Sequence, residues 1–168
     1  QGITSFTEAG VGGGWIGHSP VEAAAYRAAA QQDRLHARAQ LMPALDALRP
    51  LTAHAADFHA AGAGAGLDLG VGFGFGDDRV RFGHVKVFLD GSLLGATAAV
   101  TESYCGHDHR TGYLLDATET YRERAHAAYW AGWPLALHAI GDAANDLALD
   151  LIAEAPHTYG ALGVPCRI

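Results

Sequence analysis

The chain has 168 residues, of which 49% are hydrophobic, and a formal net charge of −7 with histidine neutral. This length buries a single core, and the acidic excess argues against nucleic acid or an anionic membrane surface as a partner. The longest apolar runs fall well short of the roughly 20 residues that span a bilayer, and no signal-peptide pattern is present. Cys105 and Cys166 have no CxxC partner, which predicts reduced thiols in a cytoplasmic protein.

The first part of the chain alternates strand-like and helix-like segments. The β-branched run Gly2–Ala9 predicts a strand that leads into a glycine cluster. Ser19–Glu22 has the pattern of a helix start, with Ser19 as N-cap, and the helix should continue to about Asp33. Ala37–Met42 predicts a second strand, and the alanine-rich Ala44–Ala65 predicts a second helix.

Two segments in the middle of the chain carry no clear period. Leu67–Gly83 alternates glycine with valine and phenylalanine, which indicates a loop or an irregular strand. Its glycines do not lie between a strand and a helix start, so it is not a nucleotide fingerprint. The segment Leu93–Tyr113 is a long loop, and its His-Asp-His triplet at 107–109 favours a solvated loop over a metal site.

The second part of the chain again alternates. Asp116–Glu119 is a further capping box, and its helix places Tyr121, Ala125, Ala128, Tyr129 and Gly132 on one face. Pro134–Asp142 predicts a strand, and the helix at Ala143–Ala155 has one apolar stripe. Val164–Ile168 looks like the start of another strand. Such alternation predicts an α/β fold with a parallel sheet, either a (β/α)₈ barrel or an open doubly wound sheet.

The stretch HVKVFLDGS (84–92) places one lysine inside an apolar strand. Alternation puts Lys86, Phe88 and Asp90 on one face, and the two valines and Leu89 on the other. A buried lysine tends to become neutral, and a neutral amine can form a Schiff base or take up carbon dioxide as a metal-binding carbamate. The alternative is that Lys86 lies at a strand end with its amine in water.

The strand PLALHAIGD (134–142) carries the second candidate. His138 lies near its carboxyl end, on the face of Ala136 and Ile140, and Asp142 is placed to cap the next helix. A lone strand histidine is usually a hydrogen-bonded packing residue. Two strands that each present a ligand-capable side chain just before a Gly-Ser or Gly-Asp turn indicate a site at one edge of the sheet.

Several motifs together resemble the metal-dependent amidohydrolase superfamily. They are VKVFLDGSLLGATAA (85–99), GYLLD (112–116) and AGWPLALHAIGDAAND (131–146), with GITSFTEAG (2–10) and PCRI (165–168) matching flanking strands. The nearest branch is amidohydrolase family 3, which contains N-substituted formamide deformylase. The resemblance covers nearly the whole chain and implies part of a (β/α)₈ barrel of the TIM type, with four to five β/α units. Residues 1–168 then form the central segment of a catalytic domain, truncated at both ends.

The resemblance also implies a site. Lys86 matches the strand lysine that is carboxylated in two-metal members, and His138 matches a histidine ligand. Zinc or another divalent ion, in one or two copies, then activates water to hydrolyse a small-molecule substrate at a non-peptide C–N bond of amide type. Asp90 and Asp142, the acids of the two motifs, complete the candidate catalytic set.

The family pattern is incomplete in this chain. Glu8 stands where the family usually has aspartate, and Ala96 stands where related sequences often have arginine. The family's remaining metal ligands and its catalytic aspartate fall outside the 168 residues, so we expect the isolated segment to be inactive. The alternatives are a Schiff-base lyase that uses Lys86 and a non-catalytic barrel fragment. Unpaired sheet edges predict self-association or missing partner segments.

Overall fold

The computed structural model of the protein describes residues 2–13, 17, 19, 21–48, 71–106 and 109–168. The fold is mixed α/β. Its strands are β1 (Ser5–Val11), β2 (Arg38–Pro43), β3 (Val80–Phe82), β4 (Val85–Phe88) and β5 (Leu135–His138). Its α-helices are α1 (Glu22–Gln31), α2 (Thr118–Trp130) and α3 (Asp142–Tyr159), and a 3₁₀ turn covers Leu45–Ala47.

The named strands pair in parallel, as the alternating pattern predicted. Strand β2 lies between β1 and β3, and β4 pairs with β5. A parallel bridge between Ala44 and Lys86 joins the end of β2 to β4, and another between Ala136 and Arg167 adds the last residues beside β5. The predicted start of a strand at Val164–Ile168 is therefore present as a single bridge. Closure into a barrel, and the place of the chain within it, stay predictions.

Among the described residues, the larger of two core clusters lies where α2 and α3 cover β4 and β5, and the smaller one is formed by Val11, Ala39 and Leu41 of β1 and β2. In β4 the side chains of Val85 and Val87 are buried and those of Lys86 and Phe88 are half-buried, which confirms the predicted alternation. The buried faces of the two helices match the prediction except at Gly132, which lies beyond the end of α2, and at Ile152, which is half-buried. They consist of Tyr121, Ala125, Ala128 and Tyr129 in α2, and Ala144, Leu147, Ala148, Leu151 and Ala155 in α3. Among the described helices, none has the length and apolar character that a membrane crossing requires.

The predicted helix starts are wrong by one or two residues. The N-cap of α1 is Val21, because the Ser19 hydroxyl instead accepts the Val21 N–H in a local turn. Helix α2 begins after Ala117, and the Asp116 carboxylate accepts the Ala117 N–H outside the helix. Gly141 is the N-cap of α3, so Asp142 is its first residue and not its cap.

The region after β2 also differs from the prediction. The expected helix does not begin at Ala44, because Leu45–Ala47 is one 3₁₀ turn and Leu48 is extended. The rest of that predicted helix, residues 49–65, lies outside the described residues. The irregular strand predicted within Leu67–Gly83 contains β3, which pairs with β2. Of the His-Asp-His triplet, His109 is described and residues 107–108 are not.

Candidate metal centre

Lys86 and His138 lie on the same face of two neighbouring parallel strands. The register of β4 and β5 pairs Lys86 with Ala136 and Phe88 with His138. Because register partners in a parallel pair point to the same side, both candidate side chains share that side. The Phe88 ring links them, since its centroid lies 5.0 Å from the Lys86 Nζ atom and 5.5 Å from the imidazole centroid. The two strands therefore bring together the two predicted ligands.

The Lys86 amine lies in surroundings that disfavour its charge. Burial lowers the pKa of Lys86 below its usual value, and the positive charge of Arg167 lowers it further. In the part of the chain that the structure describes, the amine faces the Phe88 ring and forms no ion pair with a carboxylate. A larger share of neutral amine makes Lys86 a better nucleophile toward carbon dioxide or a carbonyl.

The His138 ring is held by the turn that follows β4. Its Nε2 atom lies 2.9 Å from the Gly91 carbonyl oxygen and 3.6 Å from Asp90 Oδ1. A carbonyl oxygen can only accept, so Nε2 carries the hydrogen and donates it to Gly91. Among the described residues, no hydrogen bond reaches Nδ1. The lone pair of Nδ1 is therefore available to a ligand.

Asp90 is fully buried and binds backbone groups. Its Oδ2 atom accepts N–H groups of Ala99 at 3.0 Å and Gly141 at 2.7 Å, and its Oδ1 atom accepts that of Ile140 at 3.0 Å. These contacts join the loop after β4 to the turn after β5. A direct catalytic role for Asp90 stays a prediction, and the structure engages both carboxylate oxygens in holding the loops.

Asp142 lies at the exposed start of α3. Its carboxylate accepts the Thr101 N–H at 2.9 Å and the Ala143 N–H at 3.0 Å, and it also accepts the Thr101 hydroxyl. The Thr101 hydroxyl and then the Thr101 N–H lower the pKa of Asp142. The described contacts thus tie Asp142 to the long loop and not to Lys86 or His138. Its predicted catalytic role is untested.

Sequence reasoning missed the cluster formed by His84 and Arg167. The Arg167 Nη2 atom lies 3.1 Å from His84 Nδ1, and His84 Nε2 lies 3.0 Å from the Pro165 carbonyl oxygen. Burial lowers the pKa of His84. For His84 the available signal was alternation, because residue 84 is two positions before Lys86. Arg167 gave no sequence signal, because its position depends on the bridge to Ala136.

The described residues supply only part of a metal site. Within them, no group of three or more histidine, cysteine, aspartate or glutamate side chains is close enough to hold an ion. Among the described residues, the predicted donors on the shared face are the Nδ1 atom of His138 and the Lys86 side chain, whereas both ring nitrogens of His84 face other partners. Their chemistry fits a borderline divalent ion if Lys86 supplies a carbamate oxygen.

Known proteins resemble this chain in sequence. "Putative amidohydrolase YtcJ" of Bacillus subtilis is 36% identical over 81 residues, which are 48% of this chain and 15% of that protein. "Protein LONG AFTER FAR-RED 3" of Arabidopsis thaliana is 39% identical over 69 residues, which are 41% of this chain and 12% of that protein. The matched regions are therefore small parts of both relatives.

Two solved structures resemble the fold. An uncharacterised metal-dependent hydrolase from Pyrococcus horikoshii OT3 superimposes with a TM-score of 0.70 at 24% identity, over 90% of this chain and 27% of its own. Another, from Pyrococcus furiosus, gives a TM-score of 0.67 at 28% identity, over 89% of this chain and 27% of its own. The family model described as "Amidohydrolase family" matches residues 1–168. The chain therefore belongs to the amidohydrolase family.

Proposed function

We propose that the chain is the central segment of the (β/α)₈ catalytic domain of a metal-dependent hydrolase. In the complete protein this domain cleaves a non-peptide C–N bond of amide type in a small molecule. The observation that carries the proposal is the placement of Lys86 and His138 on one face of adjacent parallel strands. Family membership and the two hydrolase structures support it.

Each of the two residues has a defined task at the proposed centre. The neutral Lys86 amine bonds to the carbon of carbon dioxide and loses one proton, which leaves an anionic carbamate oxygen as a ligand. His138 offers Nδ1, because its Nε2–H is donated to Gly91. One or two zinc ions, or a similar divalent ion, would supply a Lewis acid for the carbonyl and a lowered pKa for a bound water. The half-buried Phe88 ring between them helps to exclude bulk water.

We infer that the 168 residues alone are inactive or nearly so. Structural and catalytic zinc sites use three or four protein ligands, and of the described residues the proposed centre uses Lys86 and His138. Weak metal binding without turnover is the expected behaviour of the isolated chain. We further propose a cytoplasmic location, from the two free cysteines, and self-association through the edges of the sheet.

Metal binding by the isolated chain tests the two ligands. Zinc titration by calorimetry should show that His138→Phe and Lys86→Met each weaken binding at least about tenfold, the effect of losing one ligand. The exposed His157→Gln variant on the last turn of α3 is the matched histidine control and should bind as the wild type does. Equal weakening in all three variants, or in none, contradicts the proposed centre.

Carboxylation and activity need their own measurements. Incubation with ¹³C-bicarbonate should give a carbamate carbon signal that Lys86→Met lacks. In the complete protein, Lys86→Ala should abolish metal retention and amide hydrolysis together. Hydrolysis that persists after removal of the metal by a chelator rules out the proposed reaction.

The lowered pKa of Lys86 also favours a second candidate, a lyase that forms a Schiff base. In that reaction the amine attacks a carbonyl carbon and water leaves. Borohydride added with a carbonyl substrate would then attach the substrate to Lys86, which mass spectrometry detects. Dependence of activity on metal argues against this candidate, and trapping at Lys86 without metal argues for it.

A further inference from the structure

The buried carboxylate of Asp90 connects the two turns that surround His138. We infer that Asp90 is a positioning residue, which fixes these turns so that His138 donates from Nε2 and keeps Nδ1 open to a ligand. The importance of Nδ1 for metal binding rests on the proposed function. The geometry that determines the tautomer does not depend on it.

The contacts of Asp90 require a carboxylate. Both of its oxygens accept backbone N–H groups: Oδ2 those of Ala99 and Gly141, and Oδ1 that of Ile140. An asparagine has only one acceptor oxygen, so either orientation of its amide would turn an NH₂ group toward an N–H donor. With the side chain fully buried, water cannot replace the lost partner. Asp90→Asn therefore disrupts the hydrogen bonds that connect the two turns, with almost no change in side-chain volume.

The hydrogen bonds of Asp90 fix the backbone on both sides of His138. On β5, Ile140 and Gly141 follow His138 by two and three residues, so their hydrogen bonds fix where the strand ends. After the end of β4, Gly91 follows Asp90 directly, and its carbonyl oxygen accepts the His138 Nε2–H at 2.9 Å. Because Asp90 is held in place, the neighbouring Gly91 carbonyl oxygen, which accepts this hydrogen bond, is held in place as well.

Electrostatics favour the same tautomer. The Nε2 atom faces the Gly91 oxygen and, at 3.6 Å, the Asp90 carboxylate. A hydrogen on Nε2 is attracted to both oxygens, whereas a lone pair there would be repelled by both. Nε2–H is therefore favoured while the two turns stay in place. If they move apart, the preference weakens and both tautomers become populated.

The experiment uses the metal-free 168-residue chain with ¹⁵N-labelled histidine. Long-range ¹H–¹⁵N NMR shows directly which ring nitrogen of His138 carries the hydrogen. We expect the Nε2–H tautomer in the wild type, and a ratio of Nε2–H to Nδ1–H that is about tenfold lower in Asp90→Asn, the effect of losing a charged hydrogen-bond partner. The exposed Asp150→Asn variant is the matched isosteric control.

A variant that only destabilises the fold separates positioning from general loss of structure. Leu151→Ala empties part of the core of α3 and should leave the His138 tautomer unchanged. The inference is overturned if the wild type has Nδ1–H, if Asp90→Asn keeps the wild-type ratio, or if Leu151→Ala shifts it equally. The wild-type spectrum remains decisive even if Asp90→Asn does not fold.

Zinc titration of the same samples distinguishes the two proposals. If the wild type shows Nε2–H and Asp90→Asn loses it, the positioning role is supported whether or not zinc binds. Absence of zinc binding in that case counts against the proposed function alone. If zinc binds and Asp90→Asn weakens it about as much as it shifts the tautomer, both proposals are supported.

Discussion

Replacement of Gly141 by alanine tests the close approach of the turn after β5 to the loop after β4. A Cβ atom at residue 141 would fall well inside 3.0 Å of the backbone carbonyl of Ala99. The obstruction is backbone, so the two segments must move apart, by roughly 1 Å or more. The N–H groups of Gly141 and Ala99, now 2.7 and 3.0 Å from Asp90 Oδ2, would then be too far for hydrogen bonding.

The cost follows from the lost hydrogen bonds. A hydrogen bond to a charged group contributes about 1.5–3 kcal/mol, so losing one or both should lower the free energy of unfolding by about 1.5–6 kcal/mol. Urea denaturation followed by circular dichroism measures this loss. With a slope of about 2 kcal/mol per molar for a chain of this size, the midpoint should fall by about 1–3 M.

A second glycine on the same side of the sheet supplies the control for Gly141→Ala. Gly95 lies in the exposed turn after β4, where an added Cβ would meet the Ser92 hydroxyl at 3.2 Å and not the backbone. That hydroxyl accepts the Gly95 N–H in an exposed turn, where water can replace the bond if the hydroxyl moves, so Gly95→Ala should change stability by less than about 1 kcal/mol. The reasoning is refuted if the two variants have similar midpoints, or if Gly141→Ala lies within about 0.5 kcal/mol of the wild type.

Three further predictions concern titration and hydrogen bonds. Lys86→Met should raise the urea midpoint at pH 7, because burial lowers the pKa of Lys86 in the folded state and the charged amine therefore destabilises the fold. This gain should shrink as the pH rises toward about 10.4, the pKa of lysine in the unfolded chain, because the folded state releases the proton first. Tyr121→Phe removes a 2.7 Å hydrogen bond to the Phe88 carbonyl and should cost about 1 kcal/mol. Burial and the charge of Asp116 raise the pKa of Tyr121 to about 12, so the variant should lose a phenolate absorbance step near pH 12. Arg122→Met removes the hydrogen-bond partner that lowers the pKa of Glu154. The stability that this pair adds is fully present above about pH 4.3, the pKa of glutamate in the unfolded chain, and is lost as the pH falls further. The urea midpoints of the variant and the wild type should therefore differ at pH 7 and converge toward pH 3.

The spacing of apolar residues along the sequence predicted which faces of the strands and helices are buried. Alternation in β4 separated Val85 and Val87 from Lys86, and helical spacing identified the buried faces of α2 and α3. Both patterns are informative because one face of each strand or helix is apolar and must be buried away from water. Helix starts were less predictable, because Ser19 and Asp116 bind backbone N–H groups outside the helices that they were expected to cap.

Alternation could not predict the contacts of Asp90. The pattern placed Asp90 on the face of Lys86, but β4 ends at Phe88, so the partners of Asp90 lie in the loops that follow the strands. The carboxylate is fully buried and faces N–H groups of residues 99, 140 and 141, which are 9 to 51 positions away in sequence. Such long-range partners leave no periodic signal. The same holds for Arg167, whose effect on Lys86 depends on the bridge to β5.

The acidic residues of the two motifs hold one loop from two sides. Asp90 accepts the Ala99 N–H from the buried side, while Asp142 accepts the Thr101 N–H from the exposed side. Both sets of hydrogen bonds connect this loop to the turn after β5. Asp90 also accepts the N–H of Gly141 in that turn, and Asp142 is the residue after Gly141. A ligand on a strand is only as well placed as the turns beside it. In the proposed centre, the DGS and IGD segments therefore fix the position of His138, while Lys86 and the Nδ1 atom of His138 are the proposed ligands.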